Sequence, residues 1–194
     1  MIRPTVIGIT GGIGSGKSTL SEMLREKGYP VYDTDREARR LQNEDAELVN
    51  QTIELLGTTI YRNGELDRPA VAAKVFSNPA LLRQLAALVH PVVKRDFSAW
   101  VSRQSTCSVF IESAVLFEGG FDTLTNAIVV VTAPEELRIQ RVMKRDGITR
   151  EQVLARIKNQ LPENEKLIKA DFIINTQYGL NMTELNTLTS HFPN

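Results

Sequence analysis

One stretch of the chain has the residue types and spacing for handling phosphate. Gly11 to Ser18 is GGIGSGKS and matches G-x-x-x-x-G-K-[ST]. Glycines at these positions let successive backbone N–H groups turn inward around an anion, and a helix starting there adds the positive end of its dipole. The glycines then form a phosphate cradle, with Lys17 reaching the β- and γ-phosphates and the Ser18 hydroxyl ligating magnesium. A flexible glycine turn is the plainer reading. The apolar run Val6 to Thr10 before the motif and the helical pattern after it favour the cradle, because they supply the strand, loop and helix it needs.

Such loops serve switches, motors and transferases, so the neighbouring residues must choose. Neither D-x-x-G nor N-K-x-D, the strings of a guanine-nucleotide switch, occurs in the chain. The second apolar run leads instead into V-Y-D-T-D, where an extended turn would bring Asp33 and Asp35 to one side of the site. Asp33 is placed either as a ligand to metal-bound water or as the carboxylate that orients an acceptor hydroxyl and takes its proton during phosphoryl transfer. Its competing role is to cap a helix from Arg36 to Gln42. Farther on, Arg138, Arg141 and Arg145 recur at helical spacing and would share one face. Such a face suits a lid that neutralises the transferred group and excludes water, although a solvated basic surface is the ordinary alternative. Asp146-Gly147 should end that helix, and Thr149 to Gln152 fits a capping box for the next.

Positioning these groups requires an α/β scaffold. Strands are expected at Val6–Thr10, Tyr29–Tyr32, Val109–Ile111, Ala127–Thr132 and Phe172–Asn175, alternating with helical patterns as in a parallel sheet. The first helix should run from Ser18 to Lys27 and stop at Gly28. About 75 residues separate the second and third strands, too many for a simple crossover. This insert reads as helical over Asp45–Leu56, Pro69–Phe76 and from Pro79 toward Arg103, with capping groups in Ser77-Asn78-Pro79 and a kink expected at Pro91. Phe97 and Trp100 are assigned to packing, and His191 carries no functional signal.

Composition narrows the setting. Lysine plus arginine equal aspartate plus glutamate at 23 each, so no global basic field favours nucleic acid or an anionic membrane. The single cysteine, Cys107, excludes an internal disulfide framework, and no segment approaches the roughly 20 apolar residues of a membrane span. A cytoplasmic protein without an obligate protein partner is the expectation.

Taken together, TGGIGSGKST, V-x-D-x-D, G-x-L-D-R (Gly64 to Arg68), L-x-H-P (Leu88 to Pro91), L-F-E (Leu116 to Glu118), R-x-x-x-R-D (Arg141 to Asp146) and A-D-F-I-I-N (Ala170 to Asn175) resemble the dephospho-CoA kinase family. The resemblance runs from Ile7 to Asn175. It implies a P-loop NTPase fold: a five-stranded parallel sheet flanked by helices, with a helical substrate-binding insert and a helical lid. The corresponding boundaries are a core of residues 1–35, 108–135 and 170–194, an insert of about 36–107 and a lid of about 136–169, all within one kinase domain.

The implied reaction moves the γ-phosphate of ATP, with Mg2+, to the ribose 3′-hydroxyl of dephospho-CoA. The resemblance implies Lys17, Asp33 and Arg141 as catalytic residues, Gly12, Gly14, Ser15, Gly16, Lys17, Ser18, Thr19, Arg145 and Asn175 as ATP contacts, and Thr10, Asp35, Arg68 and His90 as acceptor contacts. His90 has a second possible role, satisfying a carbonyl freed by Pro91. The family often has a proline and leucine before L-F-E, whereas this chain has E-S-A-V-L-F-E, from Glu112 to Glu118. Glu112 is accordingly a candidate for the magnesium shell through water, with a purely structural loop contact as the alternative. Kinases acting on a nucleoside, a nucleotide or a sugar acid, and a nucleotide-gated regulatory module, remain the competing functional classes.

Overall fold

The computed structural model describes residues 3–75 and 78–194. In chain order, β1 (Thr5–Thr10), α1 (Lys17–Glu26) and β2 (Val31–Asp33) are followed by α2 (Thr34–Glu44) and α3 (Ala46–Leu56). A short pair, β3 (Tyr61–Arg62) and β4 (Glu65–Leu66), precedes α4 (Arg68–Val75) and the long α5 (Pro79–Ser102). The remainder comprises β5 (Ser108–Glu112), β6 (Ala127–Thr132), α6 (Glu135–Asp146), α7 (Arg150–Ile157), α8 (Glu163–Ile168), β7 (Phe172–Asn175) and α9 (Met182–His191).

The chain divides into two compact units, residues up to Asp33 with Val101–Asn194, and Thr34–Trp100. The first unit holds a parallel sheet in the order β2-β5-β1-β6-β7. On one face, Ile7 and Ile9 of β1 meet Leu20 and Leu24 of α1 and Leu185, Leu188 and Phe192 of α9. Gly8 faces the other way, where a Cβ would stand 3.0 Å from Leu116, so L-F-E supplies a packing residue as well as a carboxylate. Burying a Leu or Ile side chain contributes roughly 1.5–3 kcal/mol, enough for these few residues to hold α1 firmly on the sheet. β5 and β6 lie on opposite sides of β1. A sheet whose connections diverge in this way leaves its crevice at the carboxyl end of that strand, where Gly11 begins.

Two local expectations are corrected at and just after β2. The second strand spans Val31–Asp33 instead of Tyr29–Tyr32. Gly28, at φ 89°, turns the chain out of α1, the Tyr29 N–H donates to Leu24, and Pro30 has no N–H for a ladder. The extended turn carrying Asp35 is absent, because α2 begins at Thr34 and Asp35 lies in its first turn. Alternation along a strand therefore does not relate Asp33 to Asp35.

The second unit is not purely helical, contrary to expectation. Asn63, at φ 51°, and Gly64, at φ 83°, make the tight turn between antiparallel β3 and β4, the conformation that an Asn-Gly pair favours. Asp45 caps α3 by accepting from Leu48 N at 3.0 Å. Arg40 joins Glu37, Glu44 and Asp96 at 2.7, 2.8 and 3.0 Å, tying α2 to α5. α5 continues through Pro91, and within it Phe97 is buried and stacks on Trp100 at 5.9 Å. Asn78 accepts from Leu81 N at 3.2 Å at the start of α5, while Phe76 and Ser77 lie outside the described residues. No helix among the described residues is long and apolar enough to cross a membrane.

Candidate active site

Backbone geometry builds the phosphate loop. Gly16 adopts φ 98° as the residue preceding α1 and has no side chain with which to cap it, which leaves the amino-terminal N–H groups of the helix to an anion. Gly14 adopts φ 79°, and a Cβ there would lie 2.4 Å from the Arg138 carbonyl oxygen. A larger residue would be strained at either φ, and at Gly14 it would also have to displace the neighbouring backbone. The buried Lys17 ammonium donates to the carbonyl oxygens of Gly11 at 2.9 Å and Gly12 at 3.3 Å, so it is held at the loop mouth. Thr10 and Ser15 are fully buried, and their hydroxyl oxygens have no hydrogen-bond partner.

The first helical turn and the neighbouring strand bring a hydroxyl and a carboxylate together. Ser18 Oγ donates to Glu112 Oε1 at 3.1 Å, and Glu112 is only 7% exposed. In the sheet register Glu112 stands opposite both Ile9 and Asp33, placing the two carboxylate residues on adjacent strand ends. Among the described residues no three His, Cys, Asp or Glu side chains converge as a metal cage. The Ser18–Glu112 pair instead suits a hard cation that takes most of its oxygen ligands from phosphate and water.

The three arginines expected on one face of a helix lie on α6 in different environments. Arg138 is buried, donates through Nε to the Ala133 carbonyl at 3.1 Å, and lies 3.6 Å from Glu163. Arg141 donates to Thr176 Oγ1 at 2.8 Å, to the Thr176 carbonyl at 2.6 Å and to the Gly14 carbonyl at 3.4 Å. Arg145 is exposed and donates through Nε and a terminal nitrogen to the two Asp146 oxygens at 2.7 and 3.1 Å. The Asp146 carboxyl is held below its usual range chiefly by the Arg145 hydrogen bond, with the charges of Arg145 and Arg156 adding to it. The helix ends at Gly147, at φ 65°, and the Thr149–Gln152 capping box is present.

Several residues that position the loop were missed in the sequence. Thr176 donates to the Ser15 carbonyl at 2.7 Å while accepting from Arg141, which links the end of β7 to the loop. Its place immediately after Asn175 was the available signal. Gln160 comes from the segment between α7 and α8 and Glu163 opens α8; both are half-buried, and nothing local in the sequence distinguishes them from other polar residues. Asn175 ends β7 and accepts from Gln177 N at 2.9 Å.

The remaining predicted contacts lie in the second unit. Asp35 is exposed in α2, Arg68 opens α4 and donates to the Arg39 carbonyl at 3.2 Å, and half-buried His90 precedes Pro91 in α5.

Comparison with known proteins places this arrangement among relatives. A family model described as dephospho-CoA kinase matches residues 5–181. A dephospho-CoA kinase of Thermus thermophilus is 44% identical over 173 residues, covering 89% of this chain and 83% of the relative. One from Porphyromonas gingivalis is 44% identical over 165 residues, covering 84% and 81%. The crystal structure of TT1252 from Thermus thermophilus superposes with a TM-score of 0.84 at 38% identity, covering 99% of this chain and 100% of the other.

Proposed function

The chain belongs to the dephospho-CoA kinase family, and on that premise we propose that it transfers the γ-phosphoryl group of ATP to the ribose 3′-hydroxyl of dephospho-CoA. The products are ADP and coenzyme A, so the reaction is the last step of coenzyme A formation. The observation that carries this reading is the loop itself, with Ser18 on Glu112 and Asp33 registered beside Glu112 on the next strand. A donor cradle and a carboxylate for the acceptor proton are the two parts a phosphotransferase requires.

In this mechanism Gly12, Gly14, Ser15, Gly16, Lys17, Ser18 and Thr19 hold the phosphates. Lys17 exchanges its bonds to the Gly11 and Gly12 carbonyls for the β- and γ-phosphate oxygens. Ser18 would hold Mg2+ directly and Glu112 would hold it through water; the ion supplies charge neutralisation between the phosphates. Asp33 orients the 3′-hydroxyl and takes its proton as the oxygen bonds to the γ-phosphorus. The bond from that phosphorus to the bridging oxygen breaks, and ADP leaves. Arg141, fixed beside Gly14, stabilises charge on the transferred group. Arg145 and Asn175 contribute to ATP binding, whereas Thr10, Asp35, Arg68 and His90 contribute to the acceptor. The setting proposed for the reaction is the cytoplasm, where ATP is at hand, and the mechanism calls on no protein partner.

A coupled ADP-release assay tests the assignment, with dephospho-CoA, adenosine and AMP as separate acceptors. Turnover that requires dephospho-CoA and yields coenzyme A is the expected result. Preferential turnover of adenosine or AMP, or none with dephospho-CoA, overturns the substrate assignment.

A further inference from the structure

A phosphate loop must satisfy its outward-facing backbone groups as well as present its inward ones. Ile13 lies at the centre of this loop, and its N–H is taken by a side chain 147 positions away: Gln160 Oε1 accepts from Ile13 N at 3.0 Å. The other end of the same amide donates through Nε2 to the Ala114 carbonyl at 3.3 Å, in the stretch following β5. Gln160 therefore bridges the loop after β1 and the loop after β5, using both functions of one primary amide. Glutamate keeps the acceptor but loses the donor, while methionine retains length and loses both.

The surroundings hold Gln160 in place. Its neighbour Leu161 donates from the backbone to Glu118 Oε1 at 2.6 Å, and Glu163 accepts from Thr132 Oγ1 at 2.6 Å. The Ile13 side chain packs against a small cluster formed by Ile139 and Val142 of α6 and Val153 of α7. Ile13 is thus held at two points, its side chain by the arginine-bearing helix and its successor, and its N–H by the segment after α7.

We infer that Gln160 is a positioning residue for nucleotide binding, which fixes the entry half of the phosphate loop through the Ile13 N–H. This rests on the reading that the loop binds ATP. Without Gln160 the part-buried N–H loses its partner, and the loop must be reordered when nucleotide arrives. The consequence falls on nucleotide affinity, because the acceptor does not use this contact.

The test compares Gln160→Met and Gln160→Glu with the wild-type protein, using calorimetry with Mg-ADP, steady-state kinetics and thermal melting. The expected result for Gln160→Met is an approximately ten-fold loss of ADP affinity and a similar rise in KM for ATP, the scale of one anchoring hydrogen bond. KM for dephospho-CoA should stay unchanged, and Gln160→Glu should recover most of the ADP affinity. Wild-type ADP affinity in Gln160→Met overturns the inference, as do equal losses in both variants that parallel equal drops in Tm.

Amide exchange on the wild-type protein adds a reading that needs no variant. The Ile13 N–H should be protected without nucleotide, and rapid exchange there overturns the inference. Because calorimetry with ADP omits the acceptor, failure to turn over dephospho-CoA would remove the substrate assignment and leave the Gln160 result standing.

Discussion

The phosphate loop and the arginine helix α6 both look, in sequence, like anion-binding devices with regularly spaced residues. In the folded protein they differ sharply. The loop's chemistry is local: Gly14 and Gly16 adopt positive φ, and Lys17 bonds to carbonyls five and six residues away. On α6 the arginines take separate fates, two set by partners outside the helix and the third by the helix's own last residue. Glu163 and Ala133 retain Arg138, Thr176 and Gly14 orient Arg141, and Asp146 holds the exposed Arg145. Backbone conformation is encoded where it occurs, whereas a charge acquires its role from whatever the fold brings beside it.

Breaking the loop should have the largest effect. Lys17→Ala is expected to lower kcat/KM by roughly a thousand-fold or more, as the main charge on the transferred group is lost. Single-turnover kinetics would measure it, and retention of near wild-type transfer would remove Lys17 from the chemistry. Asp33→Asn should lower kcat by about a hundred-fold or more with KM for ATP little changed, because general-base assistance is lost and donor binding is not. An equal loss of ATP affinity would place Asp33 with the donor instead.

The helix side of the comparison is sharpened by pairing two variants. Arg141→Ala should lower kcat/KM by about a hundred-fold and Arg145→Ala by less than ten-fold, since only Arg141 is fixed on the loop. Equal effects would show that the α6 arginines act as the single clamp their spacing suggests, and the contrast drawn from their partners would fail.

The smallest effect concerns a third kind of cation. Lys166 of α8 is fully buried, and its Nζ has no hydrogen-bond partner. It lines a cavity of about 320 Å³ with Gly12, Arg138 and Glu163. Burial pushes its pKa below 10.5, against the opposing charges of Glu118 and Glu163. Between the lowered folded value and the unfolded one the unfolded chain binds more protons, so stability rises with pH across that window. The full cost of charging applies below the folded value. Lys166→Met should therefore raise Tm by about 2–4 °C at neutral pH, with the gain fading as pH approaches 10.5. A lower Tm at neutral pH would mean that the acidic neighbours more than offset the cost of burying the ammonium.

Much of the first unit was legible because its signals are short-range. β-branched runs marked the strands, Gly28 and Gly147 marked helix ends, and Thr149 to Gln152 marked a cap. The β3–β4 hairpin was equally local in its Asn63-Gly64 turn, but the surrounding helical periodicity obscured it. Asp35 was misplaced for a related reason: the strand's alternation was carried past Asp33, where the helix had already begun at Thr34.

The sequence by itself determined the phosphate loop, the parallel α/β alternation and the presence of a long insert, since glycine dihedrals and hydrophobic periodicity act within a few residues. Only the tertiary structure decided that Ser18 meets Glu112, that Thr176 orients Arg141 and that Gln160 supports Ile13. Those pairs span 94, 35 and 147 positions, and a hydrogen bond across such separations exists only once the sheet order and helix packing have brought its two ends within about 3 Å.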